Sequence, residues 1–213
     1  MKFSLIRSAS MLALTLGLAS CGGGGDDTYT VAGSVAGLAY PGLVLTTNGS
    51  DLTVAPPTTA GAIVNFAFPN KLEYGDIYNV TVKAHPAHQN CQPHREAPLS
   101  PSDTAGRLAA INVRLECTIN AYGIGGTVTG LTAADTELVL ANGSTGGTLS
   151  IKRPAEDTTT TPLTYTLPAV QYDVSYGVTV VKNPAGRICT VANPTGIMRD
   201  DPITNINVTC VAI

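Results

Sequence analysis

The chain has 213 residues, of which only 13% are charged, and its formal net charge is −3. That balance leaves no basic field for nucleic acid, and a hydrophobic content of 44% excludes wholesale disorder. Trp is absent and aromatics make up 5%, while Gly (22) and Pro (14) are plentiful, which points to short strands and many turns and away from helical bundles.

Lys2 and Arg7 precede an apolar run from Met11 to Leu18, and Ala19 and Ser20 supply small residues ahead of Cys21. The run is far shorter than the roughly 20 residues a membrane span needs, but charge, apolar stretch and small residues follow the order of a secretory signal. Leu18-Ala19-Ser20-Cys21 resembles the lipobox of bacterial lipoprotein signal peptides. The resemblance implies that residues 1–20 are removed, that Cys21 carries lipid (palmitate among its acyl chains), and that the mature chain is held on a membrane. Several acyl chains are needed, because one myristoyl-sized chain binds only marginally. Residues 21–28, with Gly22 to Gly25 followed by Asp26 and Asp27, then read as a flexible tether. Gly22 stands where an aspartate would favour inner-membrane retention under the enterobacterial sorting rule, so the resemblance points to the outer membrane, with its facing leaflet left open.

Behind the tether the chain repeats itself, which predicts two units, residues 29–118 and 122–213. Tyr29, Val31, Gly33, Val35, Gly37 and Leu38 recur 93 residues on as Tyr122, Ile124, Gly126, Val128, Gly130 and Leu131. Tyr74, Tyr78, Val80, Val82 and Cys91 recur 98 residues on as Tyr172, Tyr176, Val178, Val180 and Cys189, and Cys117 answers Cys210. Only Thr118 to Ala121 separate the units, so they are expected to sit nearly end to end.

Within each unit the apolar residues alternate, as at Val31/Gly33/Val35, Leu43/Leu45, Leu52/Val54, Val64/Phe66/Phe68, Tyr78/Val80/Val82 and Val113/Leu115. Period two means half-buried strands, and Asn48-Gly49 and Asn142-Gly143 supply the positive-φ residues of tight hairpin turns. Six or seven short strands per unit predict an all-β chain of two tandem immunoglobulin-like β-sandwich domains, with a small barrel as the alternative. The stretch Leu72 to Val82 resembles the corner leading into strand F of fibronectin type III domains. The resemblance implies that the Tyr78 and Tyr176 hydroxyls bond back to corner backbone. More broadly, the units are similar to Gly-Thr-Val-x-Gly-Leu…Tyr-x-Val-x-Val…Cys…Cys repeats of exported bacterial surface proteins, a pattern that speaks to architecture and not to function.

Five cysteines is an odd number, and spending Cys21 on lipid leaves four for an oxidising compartment. Of three possible pairings, two equivalent cysteines per unit favour Cys91–Cys117 and Cys189–Cys210, each tying the end of the Tyr-x-Val-x-Val strand to the last strand of its unit.

Candidates for chemistry are few. All three histidines flank Cys91 as His85, His88 and His94, a set that could hold copper or zinc. Against this, the matching stretch Lys182 to Cys189 has no histidine, and Cys91 is expected in a disulfide. Ser100, Ser102 and Asp103 follow His94 without a nucleophile-elbow pattern. Asp135, Glu137, Asp200 and Asp201 are too few for a defined calcium loop. Glu156 to Pro162 reads as an insertion in the second unit, a solvated hairpin tip or a recognition loop. Asn79-Val80-Thr81 and Asn207-Val208-Thr209 match a glycosylation pattern but fall inside predicted strands.

No catalytic residue and no cofactor is expected. The reading that follows is a non-enzymatic, lipid-anchored envelope protein with a structural, presentation or binding role toward an unidentified protein or carbohydrate. The alternative is a metal-handling lipoprotein using His85, His88 and His94.

Overall fold

The computed structural model describes residues 28–95, 99–108, 110–143 and 147–213; the signal segment, Cys21 and most of the tether lie outside them. The described residues form strands and connections only. The first unit contains β1 (Tyr29–Ala36), β2 (Leu43–Thr47), β3 (Ser50–Val54), β4 (Val64–Leu72), β5 (Ile77–Asn79), β6 (Thr81–Ala84), β7 (Gln89–Pro93), β8 (Ser102–Thr104) and β9 (Ile111–Ile119). The second contains β10 (Ala121–Thr129), β11 (Leu138–Asn142), β12 (Thr148–Ile151), β13 (Leu163–Gln171), β14 (Ser175–Lys182), β15 (Arg187–Val191), β16 (Thr195–Ile197) and β17 (Val208–Ala212).

Each unit is a sandwich. One sheet of the first has the order β4-β1-β9-β7, and β3-β2-β6 with the pair β5-β8 covers it. The second repeats this as β13-β10-β17-β15 over β12-β11-β14-β16. Alternate residues of facing strands, such as Val31, Val35, Leu43, Leu45, Val113 and Leu115, fill one core, and Ile124, Val128, Leu138, Leu140 and Val208 fill a separate one. Period-two burial along β9, with Ile111, Val113, Leu115 and Cys117 turned inward, is the predicted pattern realised.

The first and last strands of each unit run parallel, β1 beside β9 and β10 beside β17. Their close approach explains the glycines of the repeat. A Cβ at Gly33 would lie 1.9 Å from the Val113 carbonyl oxygen, and one at Gly126 would lie 2.3 Å from that of Ile206. Gly37 and Gly130, at φ of +72° and +80°, press in the same way on the Cys117 and Cys210 carbonyls.

Several expectations are corrected. Among the described residues the units hold nine and eight strands against the expected six or seven, because polar edge strands such as β7 lack an apolar alternation. Only Asn120 lies between β9 and β10, so the connection is tighter than Thr118 to Ala121. Asn48 and Gly49 do turn at φ of 47° and 75°, but Asn142 ends β11 and spends its Oδ1 on the Gly177 amide, so no matching two-residue turn forms there. The disulfides are Cys91–Cys117 and Cys189–Cys210. Each joins directly opposed residues of neighbouring strands in one sheet. Cys91 lies on β7, beyond the Tyr-x-Val-x-Val strand, because a turn at Pro86 to His88 first carries the chain across to the other sheet.

Candidate functional site

The segment that carries all three histidines lies at the junction of the two sandwiches. β6 ends at Ala84, and the turn behind it is set by Pro86, whose carbonyl accepts the Gln89 amide at 3.4 Å, while the Ala87 amide reaches the Pro41 carbonyl at 3.1 Å. His88 takes the left-handed conformation at φ 59°, where Gly186 stands at φ 73° in the second unit.

The three histidines do not converge. The Cys91 amide donates to His85 Nδ1 at 3.1 Å. In the second unit the Cys189 amide donates to Asn183 Oδ1 at 2.8 Å, so histidine and asparagine do one job at equivalent places. His88 turns the other way, toward the second sandwich. The His94 amide bonds the Arg114 carbonyl at 2.7 Å, which seats that residue on the last strand of its own unit. Among the described residues no group of three or more His, Cys, Asp or Glu side chains is placed to hold a metal ion.

His88 is the centre of a four-residue contact between units. Its Nδ1 lies 2.5 Å from Asp200 Oδ2. Its ring stacks on Tyr172 with centroids 3.7 Å apart and planes 4° from parallel. Tyr40 stands edge-on to both rings at 5.1 and 5.9 Å. Edge-to-face and stacked aromatic contacts of this kind add about 0.5–1.5 kcal/mol each beyond area burial. Asn120 completes the junction, its amide donating to the His88 carbonyl at 2.9 Å and its carbonyl accepting the Tyr172 amide at 2.8 Å. Beneath Tyr40, the buried Gln89 accepts the Ala39 and Tyr40 amides on Oε1 and donates Nε2 to the Gly37 carbonyl.

The remaining candidates are dispersed. Ser100 Oγ donates to the Ser102 carbonyl, and Asp103 pairs with Arg107 at 2.8 Å, so the Ser100 hydroxyl and the Asp103 carboxylate are each spent on a local partner. Asp135 meets Arg187 at 2.7 Å, Glu137 meets Lys182 at 2.9 Å, and Asp200 faces His88, so these carboxylates form no common oxygen cage. Tyr78 is buried, and burial first, with the nearby Asp103 charge second, raises its phenol. A phenol-to-backbone bond inside a core is made by Tyr165, which donates to the Ile206 carbonyl at 2.7 Å and is pushed by burial up to about 12.

Two features escaped the sequence. Tyr40 carries no pattern of its own and Asp200 enters the sequence reading only as a candidate oxygen ligand, not as the partner of His88, although His88 standing where the repeat places Gly186 is a legible anomaly. Arg153, almost wholly buried, was missed altogether. It donates Nε to the Leu131 carbonyl at 2.9 Å, Nη2 to the Thr161 carbonyl at 2.5 Å, and Nη1 to Asp157 at 2.5 Å. The stretch Glu156 to Pro162 is therefore strapped to the sandwich by a buried cation.

Among the described residues no helix is long and apolar enough to cross a membrane. No family model matches the chain, and no curated protein matches it. Among solved structures it is similar to the major pilin protein T3.2 of Streptococcus pyogenes serotype GAS13637 at 9% identity. That match covers 86% of this chain and 96% of the pilin with a TM-score of 0.23, too distant a likeness to carry fold or function across.

Proposed function

We propose that the protein is a non-enzymatic, lipid-anchored strut of the bacterial outer membrane, which holds or presents a binding surface away from that membrane. The observation that carries this reading is the parallel pairing of first and last strands in each sandwich. A parallel pair sends the chain in at one end of the sheet and out at the other, so each unit adds its length to the one before. A nine-residue strand such as β9 spans about 30 Å, and the single connecting residue Asn120 leaves little freedom between the units. The two disulfides suit an oxidising compartment outside the cytoplasm.

The test is labelled-palmitate incorporation and membrane fractionation of the full chain in a Gram-negative host, beside Cys21→Ser. The expected result is label in the outer-membrane fraction, with the variant unlabelled and released from the membrane. An unlabelled wild-type chain that fractionates as soluble protein overturns the reading.

A further inference from the structure

The repeat offers an internal comparison that singles out one surface. Tyr172 of the second unit is stacked beneath His88 of the first, so this end of a sandwich meets whatever precedes it in the chain. Its counterpart 98 residues earlier, Tyr74, is 76% exposed, and Ile77 on the same connection is 71% exposed. Every residue from Glu73 to Ile77 is exposed.

The topology says what this connection faces. Tyr29 pairs with Leu72 at the start of β1, so the β4–β5 connection lies at the end where the chain enters the first unit. Because β9 runs parallel to β1, the second unit departs from the opposite end. A Cβ at Gly106 would touch the Tyr74 ring and lie 3.2 Å from the Tyr29 hydroxyl, which places Tyr74 beside the first strand residue. Six residues lie between Cys21 and Thr28, and a Gly-rich chain of those seven peptide steps reaches roughly 15 Å.

We infer that the Tyr74–Ile77 connection is a membrane-contact surface that rests in the headgroup layer of the leaflet holding the lipid. This rests on the lipid-anchored reading above. Tyrosine suits that layer because its ring is apolar and its hydroxyl stays wet. Arg107, next to Gly106, pairs with Asp103 at 2.8 Å but leaves its side chain 71% exposed, so its guanidinium can also reach a lipid phosphate, whereas Glu73 and Asp76 keep the turn from entering the acyl region. A tether this short holds the surface at high effective concentration, so a weak contact is enough to fix how the strut stands.

The chain has no tryptophan, so Tyr74→Trp supplies a single reporter, with Ile213→Trp as its counterpart at the far end of the second unit. Lipidated full-length protein is placed in phosphatidylethanolamine/phosphatidylglycerol vesicles with and without brominated lipid, and lipidation is checked by the mass of the amino-terminal peptide. The expected result is blue-shifted emission from Tyr74→Trp, quenched about twofold by brominated lipid, and no quenching of Ile213→Trp. Lipidated, vesicle-bound protein with no quenching of Tyr74→Trp overturns the contact surface and leaves the anchor standing. An unlipidated chain overturns both. A blue shift that grows with protein concentration without vesicles assigns the surface to a second copy and overturns the membrane contact.

Discussion

His85 and Asn183 are chemically different side chains that present an acceptor to the same amide in the two units. His85→Ala therefore removes the partner of a half-buried N–H and is expected to cost about 1 kcal/mol in denaturant unfolding, while His85→Asn recovers most of that loss. A histidine needed for a metal would show the reverse, with Asn no better than Ala. The disulfide partners were legible because a repeat with two cysteines per unit leaves one economical pairing. The function of His85 was not, because nothing in a one-letter code equates an imidazole nitrogen with an amide oxygen; only the shared amide reveals it. The same holds for His88, whose spacing suggested a ligand but whose stacking partner lies 84 residues away.

At the scale of elements, apolar alternation located β1, β2, β3, β4 and β9 because each turns one face to a core. It missed β7, where only Gln89 and Cys91 face inward and an amide and a disulfide replace apolar side chains. Pro69 and Pro168 sit within strands yet cost no ladder bond, because β4 and β13 are edge strands and each proline falls at a register shift. The loop strapped by Arg153 gives two predictions. Arg153→Met leaves the Leu131 and Thr161 carbonyls without donors and is expected to cost about 3 kcal/mol, with faster amide exchange confined to residues 154–161. Hydrogen bonds from the Thr159 hydroxyl and amide, and then the Arg153 charge, hold the Asp157 carboxyl below the usual carboxylate range. A lowered folded value means that the strap is complete above the unfolded value of about 3.9 and is lost as pH falls through the lower folded one. Protection of this loop's amides, taken relative to their intrinsic rates at each pH, is therefore expected to fall in acid before that of the core strands, and acid-insensitive protection would count against the Asp157 contact.

For the whole molecule, the junction decides whether two sandwiches behave as one body. His88, Tyr172, Tyr40 and Asp200 hold the units laterally, and Asn120 holds them along the chain. Residual dipolar couplings of the wild-type protein are expected to fit one alignment tensor across both units. His88→Ala combined with Tyr172→Ala is expected to need two tensors while each sandwich keeps its own fold. Two tensors in the wild type would show that the contact does not hold the units together. The architecture also bears on mechanical load. A pull between Tyr29 and Ile213 runs along the parallel pairs β1–β9 and β10–β17, so their hydrogen bonds are sheared together and cannot be unzipped one at a time. The two units are unequal in this respect: β1 and β9 are in register from Val31 to Ala36, while β10 and β17 share only two register positions and β10 otherwise leans on the irregular segment around Ile203. Under tension between the two ends the second sandwich is expected to yield first and the first sandwich last, so the chain extends from its second unit while its first stays folded.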